Sequence, residues 1–78
     1  MNEAEALRWI AELFEEAPEN VRADTPRSDI ATWDSLGVLT LMADLNERFD
    51  IIMTAEQIGG MASVADLLEV LRSNGKLV

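Results

Sequence analysis

The chain has 78 residues and a mass of 8.6 kDa. Its folded surface should be about 4,700 Å² against about 12,500 Å² unfolded, which allows one small core and no deep active site. Fifteen acidic against six basic residues give a net charge of −9, and cysteine and histidine are absent; this disfavours nucleic acid and anionic membrane as partners and excludes disulfides, thiol nucleophiles, most zinc sites and the usual general base.

An apolar fraction of 49% argues for an ordered chain despite the charge. The start, Met1-Asn2-Glu3-Ala4-Glu5, is acidic where a secretory signal requires basic residues. The apolar runs are too short to span a membrane. A cytoplasmic, monomeric, free-standing chain is the expectation, with residues 1–78 forming a single domain.

Residues 3–17 read as a first helix. Leu7, Ile10, Leu13, Phe14 and Ala17 recur at helical spacing, and Pro18 stops the run. Trp9 lies to one side of that arc and reads as a packing residue. Residues 18–33 show no period and carry Pro18, Asn20, Asp24, Pro26, Ser28 and Asp29, all turn formers. So long a loop needs anchors, and Val21, Ile30 and Trp33 are the candidates. Burial of the Trp33 ring would also fix how Ser35 is presented.

A second helix is predicted over 35–49, with Asp34 as its N-cap. Thr54-Ala55-Glu56-Gln57 has capping-box spacing and opens a short third helix that ends by Gly59-Gly60. Ser63 opens a fourth, in which Val64, Leu67, Leu68 and Leu71 share a face and Asn74-Gly75 ends the run. No segment alternates like a strand. The predicted fold is all-α: a four-helix bundle with a long loop between helices 1 and 2 and a short third helix.

The second helix carries more apolar residues than a core requires. Val38, Leu41, Met42, Leu45 and Phe49 fill one arc about 100° wide. Leu36, Leu39 and Ala43 form another, well away from the first, which begins beside Ser35. Leaving leucines in water forgoes roughly 1.5–3 kcal/mol each, so this stripe reads as a docking face for a partner; the alternative is that the long loop or another helix covers it. Met42, Met53 and Met61 read as core fillers.

Ser35 sits where the loop meets the helix. There its hydroxyl would lie beside free backbone N–H groups and the positive end of the helix dipole, a favourable setting for a phosphate ester. Taken alone, Asp34-Ser35-Leu36 reads as a helix cap. Chain length, acidity, the four helices and the adjoining apolar stripe shift the reading.

With those features together, the chain resembles the acyl carrier protein family. The family motif, Asp-Ser-Leu at the start of the second of four helices, stands here as Asp34-Ser35-Leu36 within Thr32-Trp33-Asp34-Ser35-Leu36-Gly37. Leu45-Asn46-Glu47-Arg48-Phe49-Asp50-Ile51 and Ser63-Val64-Ala65-Asp66-Leu67 match further along. The resemblance implies that Ser35 receives a 4′-phosphopantetheine arm from coenzyme A through a separate phosphopantetheinyl transferase, with Asp34 as the second residue of that site. Acyl intermediates of fatty-acid-like, polyketide or other secondary-metabolite biosynthesis would ride on the arm as thioesters. Partners such as a ketosynthase or acyltransferase would do the chemistry; the chain itself would be no enzyme.

A Leu- and Met-lined space inside the bundle is the expected shelter for cargo. Docking is expected on Leu36, Leu39 and Ala43, with the more distant Asp44 and Glu47. Gly37 and Thr40 stand where fatty-acid carriers often place acidic residues, which shifts weight towards apolar contact. Two alternatives differ in kind. One is an unmodified helical interaction module in which Ser35 only caps. The other is an aminoacyl or peptidyl carrier, whose Gly-Gly-x-Ser approach Trp33-Asp34 does not match.

Overall fold

A computed structural model describes residues 1–78. Four α-helices occur in the predicted order: α1 Glu3–Leu13, α2 Ser35–Phe49, α3 Ala55–Gly59 and α4 Val64–Ser73. There is no β-sheet, only an isolated bridge between Pro26 and Ser63. The accessible surface is 4641 Å², close to the value expected for a compact chain of this mass.

Each helix starts on a side-chain device. Asn2 and Glu5 form a reciprocal capping box at α1, at 2.8 and 2.9 Å. Asp34 caps α2, Thr54 and Gln57 close a box at α3, and the Asp66 carboxylate accepts the backbone N–H groups of Ala62 and Ser63 before α4. These contacts satisfy donors that a helix N-terminus leaves free.

The first helix ends at Leu13 rather than at Ala17. Its termination precedes Pro18 because Glu15 turns into the left-handed region, with φ at 55°. The Glu16 N–H then reaches the Ala11 carbonyl at 2.8 Å, and the Glu15 N–H the Glu12 carbonyl at 3.2 Å. This is the closing pattern usually built on glycine. The inward face also differs from the predicted arc. Ala6, Trp9, Ile10, Ala11 and Phe14 are buried, Leu7 and Leu13 are half-buried, and Ala17 is exposed. Trp9 belongs to the core, packed edge-on against Phe49 with ring centroids 4.9 Å apart.

The remaining core follows the sequence pattern. Val38, Leu41 and Leu45 of α2 meet Ile58 of α3 and Val64, Leu67, Leu68 and Leu71 of α4. That interior is closed. Leu41, Leu45, Ile58, Leu67 and Leu71 have no exposed surface, and the cavities are surface grooves. The internal cargo space expected from the leucines and methionines is therefore not open in this conformation; the side chains that would line it fill it.

Residues 14–34 form a packed connection with two single 3₁₀ turns, Pro18–Asn20 and Arg27–Asp29. Val21, Ile30 and Trp33 are buried, as their isolation in a polar stretch suggested. Two backbone bonds tie the loop to the α3–α4 connection: Arg27 N–H to the Ala62 carbonyl and Val64 N–H to the Thr25 carbonyl, both at 2.9 Å. They satisfy main-chain groups that would otherwise need water.

Candidate functional site

The entry to α2 is assembled from the loop. Trp33 stacks on Phe14 with ring centroids 5.1 Å apart and planes 19° from parallel. Thr32 donates its hydroxyl to the Phe14 carbonyl at 2.6 Å. Arg27 lies across the Trp33 ring, 5.5 Å from its centre. Its Nε donates to the Trp33 carbonyl at 3.2 Å and one terminal nitrogen to the Gly59 carbonyl at 2.8 Å. One guanidinium thus joins the loop, the residue before Asp34 and the end of α3. The Trp33 indole N–H is buried without an acceptor, so the ring is held by the Phe14 stack and the Arg27 guanidinium rather than by a hydrogen bond of its own.

Gly37 makes the approach possible. It is buried on α2, and a Cβ there would stand 2.1 Å from the Thr32 carbonyl oxygen and 3.3 Å from a Phe14 ring carbon. Only a residue without a side chain lets the loop backbone lie on the first turn of the helix. Gly37 thus accommodates the chain's own loop.

On this frame Asp34 and Ser35 are both exposed. The cap is Asp34, whose Oδ1 accepts the Gly37 N–H at 3.0 Å. Ser35 is the first residue of α2, and its hydroxyl makes no hydrogen bond within the chain. The backbone N–H groups of Ser35 and Leu36 also lack protein partners, as expected for the first turn of a helix. A free hydroxyl beside unpaired donors, on a rigid element at the surface, is suited to carry an anionic ester.

Ser35 lines one side of an open groove of about 340 Å³ with Arg27, Val38, Leu39, Ala55 and Gly59. Asp34, Leu36, Gly37 and Thr40 line a second groove of about 180 Å³ with Leu13, Phe14, Glu15 and Thr32. The helix crest between them carries the apolar stripe. Leu36 is 71% exposed and Leu39 51%, so neither the loop nor another helix buries them, although Arg27, Ala55 and Gly59 flank Leu39. Ala43 is exposed on the same face, and Glu47 follows it one turn on.

Asp44 is set apart from that face. It is half-buried, accepts the Trp9 indole N–H, and lies 3.9 Å from the Arg48 guanidinium. Its carboxylate bridges the junction of α1 and α2. At the far end of α2, Ile52 is 84% exposed and flanks a third groove of about 240 Å³ with Met42, Ala43, Asn46 and Met53. Sequence reasoning missed Arg27 and Ile52. Arg27 works through main-chain carbonyls, which leave no pattern in the sequence; Ile52 was legible as an isoleucine in the short connection that follows α2.

No group of three or more acidic side chains is arranged to hold a metal ion, and no helix is long and apolar enough to cross a membrane. A family model described as "phosphopantetheine attachment site" matches residues 7–71. No curated protein and no solved structure gives a significant match.

Proposed function

The chain belongs to the phosphopantetheine attachment-site family, whose members carry a covalent 4′-phosphopantetheine and are not themselves catalysts, and on that premise we propose that Ser35 is the attachment residue. The observation that carries this reading is the Ser35 hydroxyl: exposed, unbonded, and at the first residue of a helix whose cap is supplied by its neighbour. The group fits the residues present. Open grooves flank the crest that bears Ser35, and unpaired backbone donors lie beside the oxygen.

Each residue then has a defined task. Ser35 Oγ forms the ester bond to phosphorus, and the nucleotide part of coenzyme A departs. The hydroxyl proton leaves as that bond forms, and because the neighbouring Asp34 carboxylate is engaged in the helix cap, the accepting base is assigned to the transferase. Asp34 holds the first turn in register through its cap. Gly37, Trp33 and Thr32 fix the turn against the loop, so that a visiting enzyme meets the oxygen in one position. When bound, the arm supplies the terminal thiol on which cargo is held as a thioester.

A carrier role implies a phosphopantetheinyl transferase and acyl-processing enzymes as partners. The finer reading is an acyl carrier of fatty-acid-like, polyketide or other secondary-metabolite biosynthesis, formed by residues 1–78 as one carrier domain and serving enzymes such as a ketosynthase or acyltransferase. Leu36, Leu39 and Ala43 form its contact face, with Glu47 at the edge and Asp44 acting through the α1–α2 junction. Support for apolar docking comes from the exposure of both leucines and from Thr40 on the crest where an acid would add charge.

The test is intact mass after incubation with coenzyme A and a broad-specificity phosphopantetheinyl transferase. The expected result is one arm on the native chain and none on Ser35→Ala. A native chain that gains nothing, or a Ser35→Ala chain that still gains it, overturns the assignment.

A further inference from the structure

We infer that Arg27 is the binding residue for the phosphodiester carried on Ser35, a second point of attachment for the arm beyond its covalent bond. The inference rests on the assignment of Ser35 above.

The chain has only six cationic side chains against fifteen acidic ones. Of these, Arg27 is the one that lines a groove together with Ser35. A phosphodiester at Ser35 brings a permanent negative charge next to Asp34, itself an exposed carboxylate. That repulsion calls for a nearby cation.

Arg27 is already immobilised. It is stacked over Trp33, with Nε on the Trp33 carbonyl and one terminal nitrogen on the Gly59 carbonyl. A guanidinium has five N–H donors in a fixed fork, and these bonds leave donors unused. An anion in the groove can therefore be received without breaking the clamp or freezing a loose side chain, and charge-assisted bonds of this kind exceed neutral ones in strength. The unpaired N–H groups of Ser35 and Leu36 lie at the same helix entry. The arm's first segment would thus lie towards α3, along Val38, Leu39 and Ala55. Lysine at position 27 keeps the charge but not the fork, so it should keep only part of the contact.

The experiment compares apo and arm-bearing forms of the native chain, Arg27→Gln and Arg27→Lys. In the native chain, the Arg27 Nε–H NMR resonance should shift on arm attachment, more than those of the surface residues Arg48 and Arg72, and the shift should shrink at high salt. Thermal melts should show the arm-bearing native form above the apo form by up to about 4–8 °C, with that gain lost in Arg27→Gln and partly kept in Arg27→Lys. A purely structural Arg27 would lower both forms equally and leave the difference intact. An unmoved Arg27 resonance, or a gain that survives in Arg27→Gln, overturns the inference. The native-chain measurement decides even if Arg27→Gln does not fold. Should the native chain acquire no arm, the assignment of Ser35 falls and this inference with it; an arm without the shift removes only the inference.

Discussion

The two ends of α2 are built differently. At its first turn the helix is capped by Asp34, pressed by the Thr32 backbone at Gly37, and approached by a loop that Phe14, Trp33 and Arg27 lock together. At its last turn the chain closes on Asp50, with φ at 56°, and runs out into a connection where Ile52 stands 84% exposed. The first end is fixed and polar at its tip; the second is apolar and open. The contrast teaches that side chains from the loop converge on the turn that bears one hydroxyl, while the uncovered apolar surface lies along the helix and beyond it.

That contrast can be broken most sharply at Trp33. Trp33→Ala removes the Phe14 stack and the platform under Arg27, and should cost about 3–5 kcal/mol, read as a large fall in Tm. Trp33→Phe removes an N–H that has no partner but keeps a ring on Phe14, and should cost about 1–2 kcal/mol for the lost volume, clearly less than Trp33→Ala. If both fall equally, the indole N–H matters and the packing account is wrong.

Gly37→Ala sets two effects against each other. Alanine favours a helix interior by up to about 1 kcal/mol. The added Cβ meets a backbone carbonyl at 2.1 Å, which cannot swing aside as a side-chain tip can. The clash should prevail, with a net loss of about 1–3 kcal/mol. Denaturant midpoints decide the sign; a stabilised variant would mean the loop can lift off without penalty.

Neighbours at the cap separate two roles that share one tripeptide. Asp34→Ala should lose about 0.5–2 kcal/mol, whereas Ser35→Ala should change stability by no more than about 0.5 kcal/mol while abolishing the mass gain. The smallest effect on folding is expected on the crest. Leu36→Glu should stay within about 0.5 kcal/mol, because the side chain is already 71% exposed. Its consequence should appear instead as weaker binding to an acyl-processing enzyme, measured by titration calorimetry. A collapse of Tm in Leu36→Glu would show the crest to be structural.

Much of this was legible because it depends on periodicity and on caps. The bounds of α2, the Asp34 cap and the uncovered Leu36 and Leu39 all follow from side-chain pattern. What escaped depends on the main chain. Gly37 answers to the carbonyl of Thr32, and Arg27 to the carbonyls of Trp33 and Gly59, which any residue would offer. The end of α1 was misplaced because Glu15 adopts the left-handed turn that glycine usually signals. The bond between Asp44 and Trp9 went unread because the two lie far apart in the chain.

The pair of main-chain bonds between Thr25, Arg27, Ala62 and Val64 has one more consequence. It acts as a buckle: the strap that crosses from α1 to α2 is fastened midway to the seam between α3 and α4. A pull by an enzyme at the start of α2 would be shared between that seam, through Arg27, and the end of α1, through Thr32 and Trp33 on Phe14.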